Sequence, residues 1–138
     1  MKTPFSGGCA CGRIRYTCQA APVGSGHCHC RDCQRSSGTS HTSIVVVPSA
    51  GLAFQGGSPV SYESLSDKGN TVYRSFCGHC GSPMFAGNKN HPEFIAIKAA
   101  SLDEPDSFQP AIDSWVSSAP AWCQLSPDTV KFERDIPQ

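Results

Sequence analysis

The sequence lacks a long hydrophobic run. Its longest aliphatic stretch is Ile44–Val47, against the ~20 apolar residues needed to cross a bilayer, so no membrane-spanning helix is expected. It also lacks an excess of either charge. Eleven Lys and Arg balance eleven Asp and Glu, for a formal net charge of zero, which argues against a basic nucleic-acid binder and against a polybasic membrane-surface protein. The opening "MKTPFSGGCACG" has no apolar core of the kind an export signal carries, and the expectation is a soluble cytoplasmic protein. No sustained helical period appears, and no linker or low-complexity run divides the chain. A single domain over residues 1–138 is therefore expected. Apolar residues are scarce too, at 38%, so burial of greasy surface needs help from another source.

In place of these features stand 13 glycines, 11 prolines and nine cysteines. Gly, Pro and Ser punctuate short runs rich in β-branched and aromatic residues: "RIRYTCQA", "TSIVVVP", "LAFQGG", "VSYESL", "TVYRSFC", "MFAG", "EFIAIKA" and "TVKFERD". That pattern predicts a mainly β fold of several small, coiled antiparallel sheets with little helix. The one expected helical turn is "CRDCQRSSG", residues 30–38, stopped by Gly38.

The cysteines cluster, and their number is odd. In a chain without an export signal, clustered thiols favour metal over disulfides. Cys9 and Cys11 in "GGCACG" and Cys77 and Cys80 in "FCGHCG" form two tight turns, each followed directly by a glycine. Two such pairs complete the tetrahedron that zinc prefers, a closed structural site that staples the fold. The stretch "GHCHCRDC" carries Cys28, Cys30 and Cys33. Three thiolates leave a tetrahedron one ligand short. Either the second zinc keeps an open position, as catalytic zinc does, or a histidine closes it. Candidates for the closing ligand are His27, His29, His41, His79 and His91; His29, between two ligands, is expected to point away. A zinc with three thiolates is already net negative and a poor Lewis acid, so an open site of this kind suits thiol addition or sulfur transfer better than hydrolysis. Such a site also loses metal more easily than a closed one, so partial occupancy is expected there. Arg31 and Arg35 flank the cluster and can meet carboxylates of a thiol ligand.

Taken together, "GGCACGRIRY", "CHCRDCQRSSG", "RSFCGHCGSPMF", "SLDEP" and "WVSSAPAW" resemble, in order and spacing, the glutathione-dependent formaldehyde-activating enzyme family, or centromere protein V/GFA domain. The resemblance runs from about Gly7 to about Phe132. It implies an Mss4-like fold and two zinc sites, a structural one on Cys9, Cys11, Cys77 and Cys80 and a second on Cys28, Cys30 and Cys33. It also implies a carbon–sulfur lyase-type reaction, the addition of glutathione to formaldehyde or another small aldehyde. One departure stands out: many members carry His-Ile where this chain has Asp113 and Ser114.

Other residues read as structure. Trp115, Trp122 and Phe108 are expected in the core, with a pocket wall beside the second zinc as the alternative. Asp103, Glu104 and Asp106 read as a solvated turn, and Cys18 and Cys123 as small buried hydrophobes. Two other functions compete with the enzyme. One is a binding module whose two metals are both structural; the other is a redox or metal sensor.

Overall fold

The computed structural model describes residues 1–137. Eleven strands run β1 Phe5–Gly8, β2 Ile14–Cys18, β3 Gly24–Cys28, β4 Thr42–Pro48, β5 Leu52–Gly56, β6 Val60–Leu65, β7 Thr71–Phe76, β8 Pro83–Asn88, β9 Phe94–Lys98, β10 Ile112–Ser114 and β11 Val130–Lys131. The single α-helix, α1, spans Arg31–Ser37. Short 3-10 turns follow β4 and β9 and flank β10. Each strand-like run of the sequence contains a strand, though "TVKFERD" supplies only two strand residues. Three strands escaped notice: β1, the glycine-rich β3 and the three-residue β10 have too few β-branched residues to announce themselves.

The strands form two sheets. One has the order β1-β2-β5, the other β11-β10-β3-β4-β9-β8-β7-β6. Pairing is antiparallel except around β10, which runs parallel to both β3 and β11. Among the described residues no helix is long and apolar enough to cross a membrane.

The two sheets share one core, which holds Ile14, Tyr16, Val45, Val47, Met84, Phe85 and Ile97 at 2% exposure or less. Tyr16 meets Phe85 edge-on at 5.4 Å between ring centroids. Its Oη shares a hydrogen bond with Ser101 Oγ at 2.7 Å, and burial pushes its pKa up to about 12. Gly7 is required beside it, since a Cβ there would fall 2.2 Å from Tyr16 Oη. Tyr16→Phe is expected to lower stability by about 1 kcal/mol, the net worth of one buried hydrogen bond. Urea unfolding should show this as a lower midpoint at unchanged slope; an unmoved midpoint would mean that the Ser101 bond contributes nothing.

The acidic turn is less passive than its composition suggests. Asp103 takes two hydrogen bonds from the Arg15 guanidinium and one from Ser6 Oγ at 2.7 Å. The Arg15 bonds, with that of Ser6, hold its carboxyl down at about 2. Asp103 thereby ties the 3-10 turns after β9 to the β1–β2 hairpin. Glu104 and Asp106 are exposed, as a solvated turn requires.

Candidate metal centre and adjoining cavity

The two cysteine turns that open and close the first two-thirds of the chain meet in space. The sulfurs of Cys9, Cys11, Cys77 and Cys80 all lie within 4.8 Å of one another. Cys9–Cys11 and Cys11–Cys77 are 3.6 and 3.8 Å apart. A tetrahedron with Zn–S bonds of 2.3 Å has an edge of about 3.8 Å, so the spacing fits a zinc-sized ion. The two turns are built alike. Gly12 N–H bonds Cys9 C=O at 3.1 Å and Gly81 N–H bonds Cys77 C=O at 2.8 Å. Gly12 and Gly81 both sit in the left-handed region, at φ 79° and 78°, where a Cβ would strain the turn. Backbone and hydroxyl donors reach the sulfurs. Ile14 N–H donates to Cys9 Sγ at 3.3 Å and lowers its pKa. The Ser82 hydroxyl and N–H hold Cys80 at about 5. Arg13 N–H works in the same direction on Cys11, but desolvation and proton sharing with Cys9 push it to about 11. The donors at Cys9 and Cys80 thus already favour thiolate.

The second cluster is local. β3 delivers Cys28, and Cys30 caps α1, its Sγ accepting from Cys33 N–H at 3.3 Å. Cys33 follows one turn later, and Gly38 closes the helix at its C-terminal cap. The three sulfurs lie within 4.8 Å of one another, and among the described residues no histidine nitrogen joins that group. The thiols share their protons unevenly. Hydrogen bonds from Cys28 and Cys30, with help from Arg74, hold Cys33 down at about 2. Cys28, the donor in that arrangement, is pushed far up. Such a cluster gives up its remaining protons to a metal.

The sequence reading missed two residues here. Arg74, in the middle of β7, reaches Cys33 Sγ with Nη2 at 3.7 Å. Its Nε is buried without a partner. Lys98, ending β9, is 6% exposed, and its Nζ donates to Thr42 Oγ1 at 2.8 Å. Burial lowers its pKa. Lys98 gave no signal, since in the run "EFIAIKA" it falls on the face opposite the core residues Ile95, Ile97 and Ala99. Arg74 had none either, because its contact with Cys33 joins residues 41 positions apart.

Three cavities open around these groups. One of about 600 Å³ is lined by Cys28, Cys33, Arg74, Lys98 and Ser114 together with apolar strand residues. A second, of about 480 Å³, is lined by Cys28, Cys30, Cys33, Arg31, Arg74 and Trp115. A third, of about 470 Å³, holds Arg35, Arg74 and Lys98 and no cysteine. Arg31 and Arg35 are thus separated. Arg31 faces the sulfurs' cavity and donates to Gln34 Oε1; Arg35 serves the adjoining one.

Of the aromatics, Trp115 lines the second cavity, held at a left-handed φ of 56°, with the Arg134 guanidinium 4.9 Å from its ring centroid. Phe108 packs on the core and on His27. Trp122 is 69% exposed, contrary to the core expectation, because it sits in a turn outside both sheets. Cys18 is fully buried as expected. Cys123 is only half-buried and lies beside the ring of His29. His29 turns away from the three sulfurs, its Nε2 2.7 Å from Asp113 Oδ1. His79 and His91 are exposed.

A family model described as "Glutathione-dependent formaldehyde-activating enzyme" matches residues 4–118, a span that contains both cysteine clusters. The chain belongs to this family. A crystal structure of a Rhodobacter sphaeroides protein shares the fold of this family member, with a TM-score of 0.59 at 16% identity. The match covers 92% of this chain and 98% of that one. No curated protein matches the sequence. Family membership brings the glutathione-dependent formaldehyde-activating role at the level of the family as a whole. The departure at Asp113 falls away from the cavities, none of which it lines, whereas Ser114 lines the largest beside the cluster.

Proposed function

We propose that this protein adds a thiol, glutathione in the first instance, to a small aldehyde such as formaldehyde, or runs that addition in reverse. One observation carries the reading. Three sulfurs converge with no fourth protein ligand among the described residues, and two of their residues, Cys28 and Cys33, line a cavity of about 600 Å³ walled by Arg74 and Lys98. A binding module with two structural metals needs neither the incomplete ligand set nor the buried cations.

In this reading Cys9, Cys11, Cys77 and Cys80 hold a structural zinc, and Cys28, Cys30 and Cys33 hold a second one. Zinc bound at the second cluster supplies affinity for a thiolate and keeps that sulfur nucleophilic at neutral pH. The remaining work falls to the chain. The addition forms a carbon–sulfur bond, and the thiol proton ends on the former carbonyl oxygen. Arg74, close to Cys33, offsets the negative charge of the sulfurs. Lys98 Nζ, fixed by Thr42 Oγ1, is placed to donate a hydrogen bond to the oxygen that gains negative charge as the bond forms. Arg31 and Arg35 meet the carboxylates of the thiol at the two cavity mouths. The apolar strand residues of the large cavity exclude water and favour the adduct over aldehyde hydrate.

The test uses protein loaded with Co²⁺. Glutathione is expected to intensify the sulfur-to-metal charge-transfer band, and Arg35→Ala to weaken that response about tenfold, the worth of one charge-assisted hydrogen bond. A small neutral thiol such as 2-mercaptoethanol should respond equally in both proteins, and added salt should weaken glutathione alone. If only another thiol changes the spectrum, the chemistry stands and glutathione is replaced. A spectrum that no thiol changes makes the binding module the better account.

A further inference from the structure

The structure holds a third group of metal-ligating side chains that neither cysteine cluster uses. Nitrogen atoms of His29 and His41 and the sulfur of Cys123 lie within 4.8 Å of one another. His29 comes from the end of β3, His41 from the approach to β4, and Cys123 from the turn that follows the 3-10 segment after β10. The two imidazole rings are 5.0 Å apart between centroids. His29 is 1% exposed.

Hydrogen bonds decide which ring nitrogens are available. Asp113, itself 1% exposed, takes His29 Nε2 at 2.7 Å and also accepts from Thr129 Oγ1. An ionised carboxylate on Nε2 fixes the proton there and leaves His29 Nδ1 with its lone pair, aimed at Cys123 Sγ 3.9 Å away. His41 Nδ1 is engaged by Ser40 Oγ at 2.8 Å, which leaves Nε2. A carboxylate bonded to the far nitrogen of a histidine is the usual support of a metal-bound imidazole.

We propose that His29 Nδ1, His41 Nε2 and Cys123 Sγ form a third, separate site for a borderline-soft divalent transition metal such as Zn²⁺, with Asp113 orienting His29. Two nitrogens and one sulfur suit such an ion. In a tetrahedral site the N–S edge is about 3.6 Å, from bonds of 2.0–2.1 and 2.3 Å, so a contraction of a few tenths of an ångström from the 3.9 Å separation closes it. Binding releases the Cys123 thiol proton to solvent and needs no other change of charge. The rival use of the same atoms is a nucleophile, since thiol, imidazole and carboxylate stand in a row. The metal accounts for more. His41 has no part in such a row. None of the three cavities around the second cysteine cluster is lined by His29, His41 or Cys123, and an ion needs no pocket where an organic substrate does.

Iodoacetamide labelling of Cys123, followed by peptide mapping, tests the site in the full-length protein with and without buffered Zn²⁺. Reading one residue keeps the result independent of what the other clusters hold. Zinc is expected to slow Cys123 labelling by on the order of tenfold, because the metal occupies the thiolate that reacts. His41→Ala should abolish that protection while circular dichroism shows the fold intact. Cys123→Ala and His41→Ala should each bind one zinc fewer than the wild type at saturation. Labelling that zinc does not slow, or protection that survives His41→Ala, overturns the site. Unslowed labelling faster than that of the same peptide in denatured protein would give the row to a nucleophile instead.

Discussion

Cys77→Ser is expected to release one metal and unfold the domain. Cys77 is 2% exposed and sits where β7 ends, at a register shift between Ser75 and Phe76 that turns the chain out of the sheet. Its sulfur reaches Cys11, 66 positions away in sequence, at 3.8 Å. The cluster therefore fastens the loop between β1 and β2 to the loop between β7 and β8, joining the small sheet to the large one. A structural zinc contributes on the order of 10 kcal/mol, while whole domains are stable by about 5–15 kcal/mol. A chain with 38% hydrophobic residues has little reserve once that contribution goes. The serine hydroxyl does not replace a thiolate, because it stays protonated at neutral pH. Elemental analysis should show metal lost at this centre, and thermal melting should show no cooperative transition. Cys18→Ala is the control. Cys18 is as buried, but its Sγ bonds only Ala20 C=O at 3.4 Å, and its loss should leave the metal in place. A folded, metal-replete Cys77→Ser protein would refute the structural role.

Cys30→Ser should do the opposite, removing activity while sparing the fold. Cys28, Cys30 and Cys33 all lie on one short β3–α1 segment, so a metal there joins no distant parts of the chain. Cys30 also caps α1 through Cys33 N–H, and serine is a preferred residue for that position. The helix therefore keeps its cap and loses only the ligand. Thiol-dependent turnover is expected to fall by at least about 100-fold, the upper range for disturbed support of a metal ligand. The melting temperature should stay within about 4 °C of the wild type, a change of ~1 kcal/mol or less. Collapse of this variant would make the second cluster structural and favour the binding module over the enzyme.

The sequence by itself determined the mainly β class, the helical turn at residues 30–38 and the grouping of seven cysteines into four and three. These are local matters. Strand propensity, the αL-permitting glycines after Cys11 and Cys80, and the short spacing within each cysteine turn act over a few residues, and their physics is written in those residues. Family motifs then extended the reading to most of the chain. The sequence left β1, β3 and β10 unseen, because their glycines and short length carry no β signal and their pairing comes from neighbours far along the chain. Only the tertiary structure decided what surrounds the clusters. Arg74 meets Cys33 across 41 positions of sequence, and Lys98, buried on the face of β9 opposite the core, has Thr42 and the cavity of the sulfurs to receive its charge. Asp113 stood out only as a departure from the histidine that many family members carry; parallel pairing of β10 with β3 sets it opposite His27 and gives its carboxylate to His29. That pairing joins residues 84 positions apart, a distance over which no sequence period operates and only the packing of the sheet chooses the partner.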